Sequence, residues 1–289
     1  MPKYTNQDSK FVLVDGINVH YRKTGSGEKT ILLLHGVASS LHTFEDWQKG
    51  LSKNYTVISI DLPGFGLTGP FTDNKYNPVK YNKFLDGLLS KLGVEKVILA
   101  GNSFGGFLAW NYAVHAPERV SHLILYDAAG IKREIPNLVE NIAIGTVAGG
   151  SRIMIPRPIV GMAVKLVYQD TSKVSSDLIT RYWALLNLPP NKDMNNGPKR
   201  KSNKEGFSNV MKMNHSFNNM DFTQNIASIS VPTLILWGEN DKALPVKNAY
   251  EFQKLIKNSK LHVFQGVGHV PMEEIPEESS RVLEEFIMN

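Results

Sequence analysis

Residues 97–115 constrain the fold of this chain more than any other segment. The apolar, β-favouring residues 97–100 end at Gly101-Asn102-Ser103-Phe104-Gly105-Gly106, and an alanine- and aromatic-rich segment follows up to His115. A short apolar run bounded by turn residues is typical of a buried strand, and good helix formers follow it. Strand, Gly-x-Ser-x-Gly and helix in this order predict a tight, strained turn that presents the Ser103 hydroxyl. Because this short motif also recurs by chance, the rest of the chain must decide whether Ser103 is a nucleophile.

Strand-like and helix-like segments alternate along most of the chain. Predicted strands occupy residues 30–34, 55–60, 97–100, 120–126, 233–237 and 261–264, and the unbroken apolar run at 30–34 is typical of a strand covered on both faces. Helical patterns cover residues 43–51, 78–92, 246–256 and 276–287. Residues 11–14 and 17–21 flank Asp15-Gly16 as in a β-hairpin. This order predicts an α/β architecture with a mostly parallel sheet and antiparallel strands at its N-terminal edge.

Residues 131–225 interrupt that alternation, because they contain amphipathic stretches such as 138–147 and no strand-like run. We therefore expect one core domain, residues 1–130 and 226–289, with a helical cap of residues 131–225 inserted over the ends of the strands.

Composition excludes several classes of protein. The 289 residues contain no cysteine, which rules out disulfides, thiolate catalysis and zinc–sulfur sites. The formal charge of +5 includes a basic cluster at 192–204, which lies among Asn, Gly and Pro as in a solvated loop, so no nucleic-acid partner is predicted. Histidines are scattered without metal-ligand spacing, so we expect neither a metal nor a cofactor. No apolar run reaches the ~18 residues of a membrane span and no signal peptide is evident, which favours a cytoplasmic location.

Three side chains with complementary chemistry follow predicted strands: Ser103, Asp241 and His269. Loops at the carboxyl ends of parallel strands share one edge of the sheet, so these remote residues can meet there. Serine is a weak nucleophile until a base takes its proton, and the pKa of histidine suits that task. Asp241 would orient the imidazole and stabilise its charged form. Asp127 also ends a strand and is the alternative acid.

A reacting carbonyl also needs donors for its developing negative charge. The turn offers the backbone N–H of Phe104. The loop after His35-Gly36 offers that of Val37, or of Ala38 if the loop is shifted. His35 itself, before a glycine in a buried loop, is predicted to have a structural hydrogen-bonding role.

The chain resembles the α/β-hydrolase superfamily, in its cap-bearing esterase, lipase and haloperoxidase-like branch, over nearly its whole length. The matching segments are Leu34-His35-Gly36, Asp61-Leu62-Pro63-Gly64-Phe65-Gly66, Gly101-Asn102-Ser103-Phe104-Gly105-Gly106, Pro117-Glu118-Arg119-Val120, Pro232-Thr233 through Asp241, and Gly268-His269-Val270-Pro271 with Glu274. The resemblance implies the α/β-hydrolase fold and the order Ser, Asp, His of its triad. Similar sequences often carry an N-terminal apolar helix, so a longer, membrane-anchored natural form is compatible with the resemblance.

The hypothesis favoured by the sequence is a serine carboxylesterase that hydrolyses small to medium acyl esters, as a monomer or homodimer, through an acyl-enzyme. Hydrolysis of a C–C bond in a meta-cleavage product, or perhydrolysis, is the alternative on the same triad. Relatives that cleave C–C bonds usually have a Gly-Pro-rich loop after His-Gly and a Trp after the catalytic His, where this chain has Val37-Ala38-Ser39-Ser40 and Val270. A ligand receptor without catalysis is a third hypothesis, against which the complete triad argues.

Overall fold

The computed structural model describes residues 3–131, 154–190, 202–217 and 220–288. Within them lies one eight-stranded sheet with the strand order β1-β2-β4-β3-β5-β6-β7-β8. The strands are β1 Ser9–Val14, β2 Ile17–Thr24, β3 Thr30–Leu34, β4 Thr56–Ile60, β5 Val97–Asn102, β6 Val120–Tyr126, β7 Thr233–Gly238 and β8 Ser259–Phe264. The strands β1 and β2 pair antiparallel to each other and β2 pairs antiparallel to β4, while all other neighbours are parallel. The predicted mostly parallel sheet with antiparallel N-terminal strands is confirmed.

Burial explains why the central strands are predominantly apolar in sequence. Every residue of β4, β5 and β7 is buried, because helices cover both faces of a parallel sheet. The edge strand β1 differs, since its Phe11 and Leu13 side chains are exposed. It turns into β2 through Asp15 and Gly16, both with positive φ, as a two-residue hairpin turn requires.

The helices that flank the sheet are α1 Glu45–Leu51, α2 Pro78–Lys91, α3 Phe104–His115, α8 Lys247–Leu255, α9 Pro271–Glu274 and α10 Pro276–Met288. The boundaries of α2 follow from its ends. Asn77 Oδ1 accepts a hydrogen bond of 2.8 Å from Lys80 N, and Pro78 occupies the first turn. Gly93, with φ 68°, follows the helix, and Val94 N donates to Leu89 O at 2.9 Å. This is the Schellman arrangement, in which a glycine at positive φ ends the helix.

The described parts of residues 131–225 contain helices and no strand of the sheet. These helices are α4 Arg157–Val167, α5 Ser176–Leu186, α6 Asn203–Phe217 and α7 Thr223–Ala227. Helix α4 packs on α5, and α7 packs on α3 of the core. The amphipathic stretch 138–147 and most of the basic cluster lie outside the described residues, so the cap and its boundaries stay predictions. Among the helices that the structure describes, none combines the length and hydrophobicity needed to cross a bilayer.

Candidate active site

The turn between β5 and α3 holds Ser103 in an unusual backbone conformation. Its φ of 54° and ψ of −115° are costly for a residue with a side chain and persist only where the surroundings impose them. Both backbone polar groups of Ser103 are tied to β6 and the loop after it. Ser103 N donates to Tyr126 O at 2.9 Å, and Ser103 O accepts from Ala129 N at 3.0 Å. The sheet itself therefore fixes the serine at the carboxyl end of β5.

The glycines of the motif permit the close approach that this turn needs. A Cβ on Gly101 would lie 2.2 Å from Gly105 O, and a Cβ on Gly105 would lie 2.1 Å from Leu34 O. Both distances are well inside van der Waals contact, so neither position accepts alanine without movement of the backbone. The Gly-x-Ser-x-Gly pattern is thus a packing requirement of the turn.

Asp241 and His269 are in direct contact. Both residues are 6% exposed, and His269 Nδ1 lies 2.6 Å from Asp241 Oδ2. The other carboxylate oxygen, Oδ1, accepts from Ala243 N at 2.6 Å and from Leu244 N at 2.8 Å. These two backbone donors fix the carboxylate plane. Because Nδ1 is engaged with the carboxylate, the tautomer that donates there leaves Nε2 as the basic nitrogen.

The main chain of His269 is held on both sides. Its N–H donates to Val167 O, at the end of α4, at 2.8 Å. Its carbonyl accepts from Asn102 Nδ2 at 3.0 Å. Since Asn102 immediately precedes Ser103, this bond joins the loop that carries the imidazole to the serine turn.

Asp127, the alternative acid, lies close to this pair with a different partner. It is fully buried after β6, has φ 43°, and accepts a hydrogen bond from Gly238 N at 2.9 Å through Oδ1. Burial, and then the neighbouring charge of Asp241, raises the pKa of Asp127 well above its usual range. The carboxylate hydrogen-bonded to the imidazole is therefore Asp241.

The loop after β3 reaches the serine turn. A Cβ on Gly36 would lie 3.2 Å from Ser103 Cβ, so Val37, the next residue, begins close to the serine. Ala38 has φ 59°, and Ser39 N donates back to Gly36 O at 3.3 Å, which gives the loop its curvature. Helix α3 begins at Phe104, whose N–H has no acceptor within the helix. The structure thus brings the loop that carries Val37 close to Ser103, and α3 begins at the residue after Ser103.

His35 uses both ring nitrogens inside this loop. Nδ1–H donates to Gly36 O at 2.7 Å, and Nε2 accepts from Leu62 N at 3.0 Å. Burial lowers the pKa of His35, consistent with a neutral ring that makes these two bonds. The predicted structural role of His35 is confirmed.

Comparison with known proteins identifies the family. Residues 29–276 match the family described as the alpha/beta hydrolase fold. The chain belongs to this family. It is 28% identical over 293 residues to 2-hydroxy-6-oxononadienedioate/2-hydroxy-6-oxononatrienedioate hydrolase 1 of Pseudomonas putida, with 97% of each chain covered.

Similar solved structures support the same family assignment. The meta-cleavage product hydrolase CumD of Pseudomonas fluorescens IP01 is similar with a TM-score of 0.81, at 25% identity and 98% coverage of both chains. A putative lipase, lip1, of Acinetobacter baumannii AYE is similar with a TM-score of 0.80, at 26% identity, with 97% of this chain and 90% of the lipase covered. The protein is therefore an alpha/beta hydrolase that acts as a hydrolytic enzyme.

One carboxylate of this hydrolase has a role that the sequence reasoning missed. Glu274 is buried, and its Oε1 accepts from Gly268 N at 2.8 Å. Its Oε2 accepts from Gln169 N and from Asp170 N, each at 3.0 Å. Glu274 therefore joins the residue before His269 to the segment that follows α4. In the sequence, Glu274 is marked only by its position shortly after the Gly-His-Val-Pro segment. That position does not indicate which groups its carboxylate contacts.

The neighbouring Glu273 contacts a different type of donor. Its Oε1 accepts from the hydroxyl of Tyr182 at 2.6 Å and from Thr43, and its Oε2 accepts from the hydroxyl of Tyr168. Burial, and then the charge of Glu273, raises the pKa of both tyrosines. Tyr182 also contacts Ser39 Oγ at 3.3 Å, which links α5 to the loop beside Ser103.

Within the residues that the structure describes, the only group of three potential metal ligands consists of Asp127, Asp241 and His269, with ligand atoms within 4.8 Å of one another. The 2.6 Å between His269 Nδ1 and Asp241 Oδ2 is the length of a direct, charge-assisted hydrogen bond. Two ligands at ~2.0–2.2 Å from one tetrahedral ion lie farther apart than this. We therefore assign the pair to hydrogen bonding.

Proposed function

We propose that this hydrolase is a serine carboxylesterase that acts through an acyl-enzyme on small to medium acyl esters. The observation that carries the proposal is the contact of His269 Nδ1 with Asp241 Oδ2, on a loop joined through Asn102 to the serine turn. An imidazole with a buried carboxylate on one nitrogen is a general base on the other.

The proposed reaction has two halves, acylation of Ser103 and hydrolysis of the acyl-enzyme, and the same catalytic groups act in both. His269 Nε2 takes the proton of Ser103 as its oxygen attacks the ester carbonyl carbon. The backbone N–H groups of Val37 and Phe104 hold the oxyanion, and Asp241 stabilises the imidazolium without taking its proton. The imidazolium then protonates the departing alcohol. A water activated by the same imidazole attacks the acyl-enzyme and releases the acid.

Hydrolysis of a C–C bond in a meta-cleavage product is the second candidate. It is favoured by the similarity to the Pseudomonas putida hydrolase and to CumD. The same serine, base and oxyanion donors would act on a ketone carbonyl, with a carbon leaving group in place of an alkoxide. The cytoplasmic location and the monomeric or homodimeric state stay predictions.

An activity profile separates the two candidates. Initial rates are measured on p-nitrophenyl esters of rising acyl length and, in parallel, on a meta-cleavage product, with Ser103→Ala as the matched control. We expect ester turnover that Ser103→Ala abolishes, and a phosphonate probe that labels Ser103. Faster turnover of the meta-cleavage product than of any ester would favour the second candidate. An active Ser103→Ala protein would refute both.

A further inference from the structure

Two buried carboxylates lie beside the proposed base. Asp127 is fully buried and Asp241 is 6% exposed, and one oxygen of each lies with a ring nitrogen of His269 in a group of atoms within 4.8 Å of one another. Two carboxylates this close, away from solvent, cannot both be ionised at modest cost, because each charge destabilises the other. One of them is therefore held as the neutral acid.

The hydrogen-bond donors around the pair indicate which one is neutral. Asp241 accepts three hydrogen bonds, from the His269 ring and from the N–H groups of Ala243 and Leu244. Asp127 accepts one, from Gly238 N, and its Oδ2 has no hydrogen-bond partner among the described residues. Because donated hydrogen bonds favour the ionised form, the charge belongs on Asp241 and the proton on Asp127.

The remaining charges near Asp127 also favour its neutral, protonated form. Glu274 of α9 adds a second negative charge that disfavours its ionisation, together with burial and the charge of Asp241. The other titratable groups on adjoining elements are His269, on the loop after β8, and Tyr126, at the end of β6.

A proton on Asp127 also explains its unpaired oxygen. A neutral carboxylic acid has one O–H donor, which a buried site must pair, and a carboxylate oxygen of Asp241 lies within 4.8 Å of an oxygen of Asp127. We propose that Asp127 is a positioning residue, a neutral carboxylic acid whose O–H donates to the Asp241 carboxylate and holds it against His269. Because it assigns a role beside the same triad, this inference rests on the proposed function.

The proposed hydrogen bond has two effects on the base. It adds a further hydrogen bond that holds the carboxylate in place, and it withdraws charge from Asp241. A less charged Asp241 stabilises the imidazolium of His269 less than a single unassisted carboxylate would.

Substitution by asparagine at each aspartate gives a matched pair. In Asp127→Asn the amide N–H can donate to Asp241 while its oxygen still accepts from Gly238 N, so it reproduces the neutral acid. We expect kcat/KM within about threefold of the parent, since no hydrogen bond is lost. In Asp241→Asn the imidazole loses its acceptor, and we expect a loss of about 10⁴-fold.

Asp127→Ala removes the donor and tests the effect on the base. We expect a loss of about tenfold in kcat/KM, as for a hydrogen bond to a charged group. The acid limb of the pH profile should move to higher pH, because Asp241 then stabilises the imidazolium more strongly. An ionised Asp127 predicts the reverse: Asp127→Asn would remove a charge beside the imidazole and move the acid limb to lower pH. That result, or parent-like kinetics in both Asp127 variants, overturns the proposal.

Infrared spectroscopy tests the proton without any substrate. The difference spectrum of parent minus Asp127→Asn at neutral pH should contain the C=O band of a carboxylic acid, and a carboxylate band in its place refutes the neutral acid. If Asp127→Asn does not fold, the parent labelled with ¹³C-aspartate gives the same answer, since it must show one protonated aspartate. A parent that fails to hydrolyse esters but shows this band contradicts the proposed function alone.

Discussion

Replacing each of two adjacent glutamates by glutamine tests how the loop of the proposed base is held. The donors to Glu274 are three backbone N–H groups, which cannot turn around. The donors to Glu273 are the hydroxyls of Thr43, Tyr168 and Tyr182, which can rotate and accept instead. Replacing glutamate by glutamine should therefore destabilise the protein strongly at position 274 and only slightly at position 273.

The magnitude follows from the geometry of Glu274. A glutamine there must point its NH₂ group either at Gly268 N or at the pair Gln169 N and Asp170 N. The less costly orientation abandons Gly268 N, which leaves one buried donor unpaired at about 1–3 kcal/mol and weakens the two remaining bonds by the lost charge. We expect Glu274→Gln to lower the free energy of unfolding by about 3 kcal/mol and Glu273→Gln by less than about 1 kcal/mol.

Thermal unfolding and active-site labelling measure the difference. With an unfolding entropy of about 2.1 cal/mol/K per residue over 289 residues, a loss of 3 kcal/mol lowers Tm by about 5 °C. Because Gly268 precedes His269, the rate at which a phosphonate labels Ser103 should fall in Glu274→Gln and stay near the parent rate in Glu273→Gln. Equal Tm values for the two variants, or a larger loss in Glu273→Gln, would refute the distinction between fixed and rotatable donors.

Two further predictions concern stability. In Gly105→Ala the new Cβ would lie 2.1 Å from Leu34 O, so urea unfolding should show a loss above about 3 kcal/mol. Gly93→Ala meets no atom within 4 Å and is strained only by its positive φ, so it should cost about 1–2 kcal/mol. Burial lowers the pKa of His42 to about 4, below its unfolded value, so the folded protein resists protonation there. Stability should therefore fall as pH drops from about 6.5 to 4, by roughly 3 kcal/mol, and His42→Gln should flatten that dependence in urea titrations; an unchanged pH dependence would contradict it.

The parts of the fold that depend on local pattern were predictable. The strands predicted at 30–34 and 120–126 coincide with β3 and β6. Strand β8 begins at Ser259, two residues before the predicted start, because an edge strand accepts polar residues that an apolar run does not mark. The segment predicted as one helix from residue 43 begins instead with a 3₁₀ turn, Leu41–Phe44, before α1.

The sequence could predict which residue types form the candidate site and that they follow strands. It could not predict the hydrogen bonds between them. The placement of Ser103, Asp241 and His269 after strands followed from the rule that functional loops leave one edge of a parallel sheet. That rule does not distinguish Asp241 from Asp127 as the partner of the imidazole, because both residues follow strands. Only their distances from His269 in the structure distinguish them. The partners of Glu274 were also inaccessible, because they are backbone groups about one hundred residues away that no side-chain pattern marks.

Segment 167–170, between α4 and α5, is structurally part of the site although it belongs to the predicted cap. Its backbone donates twice to Glu274 and accepts from the N–H of His269. Moving this segment away from the core would break all three bonds at once and would remove the support that the histidine loop receives from the insertion. Any movement of the predicted cap that admits substrate must therefore leave residues 167–170 in place.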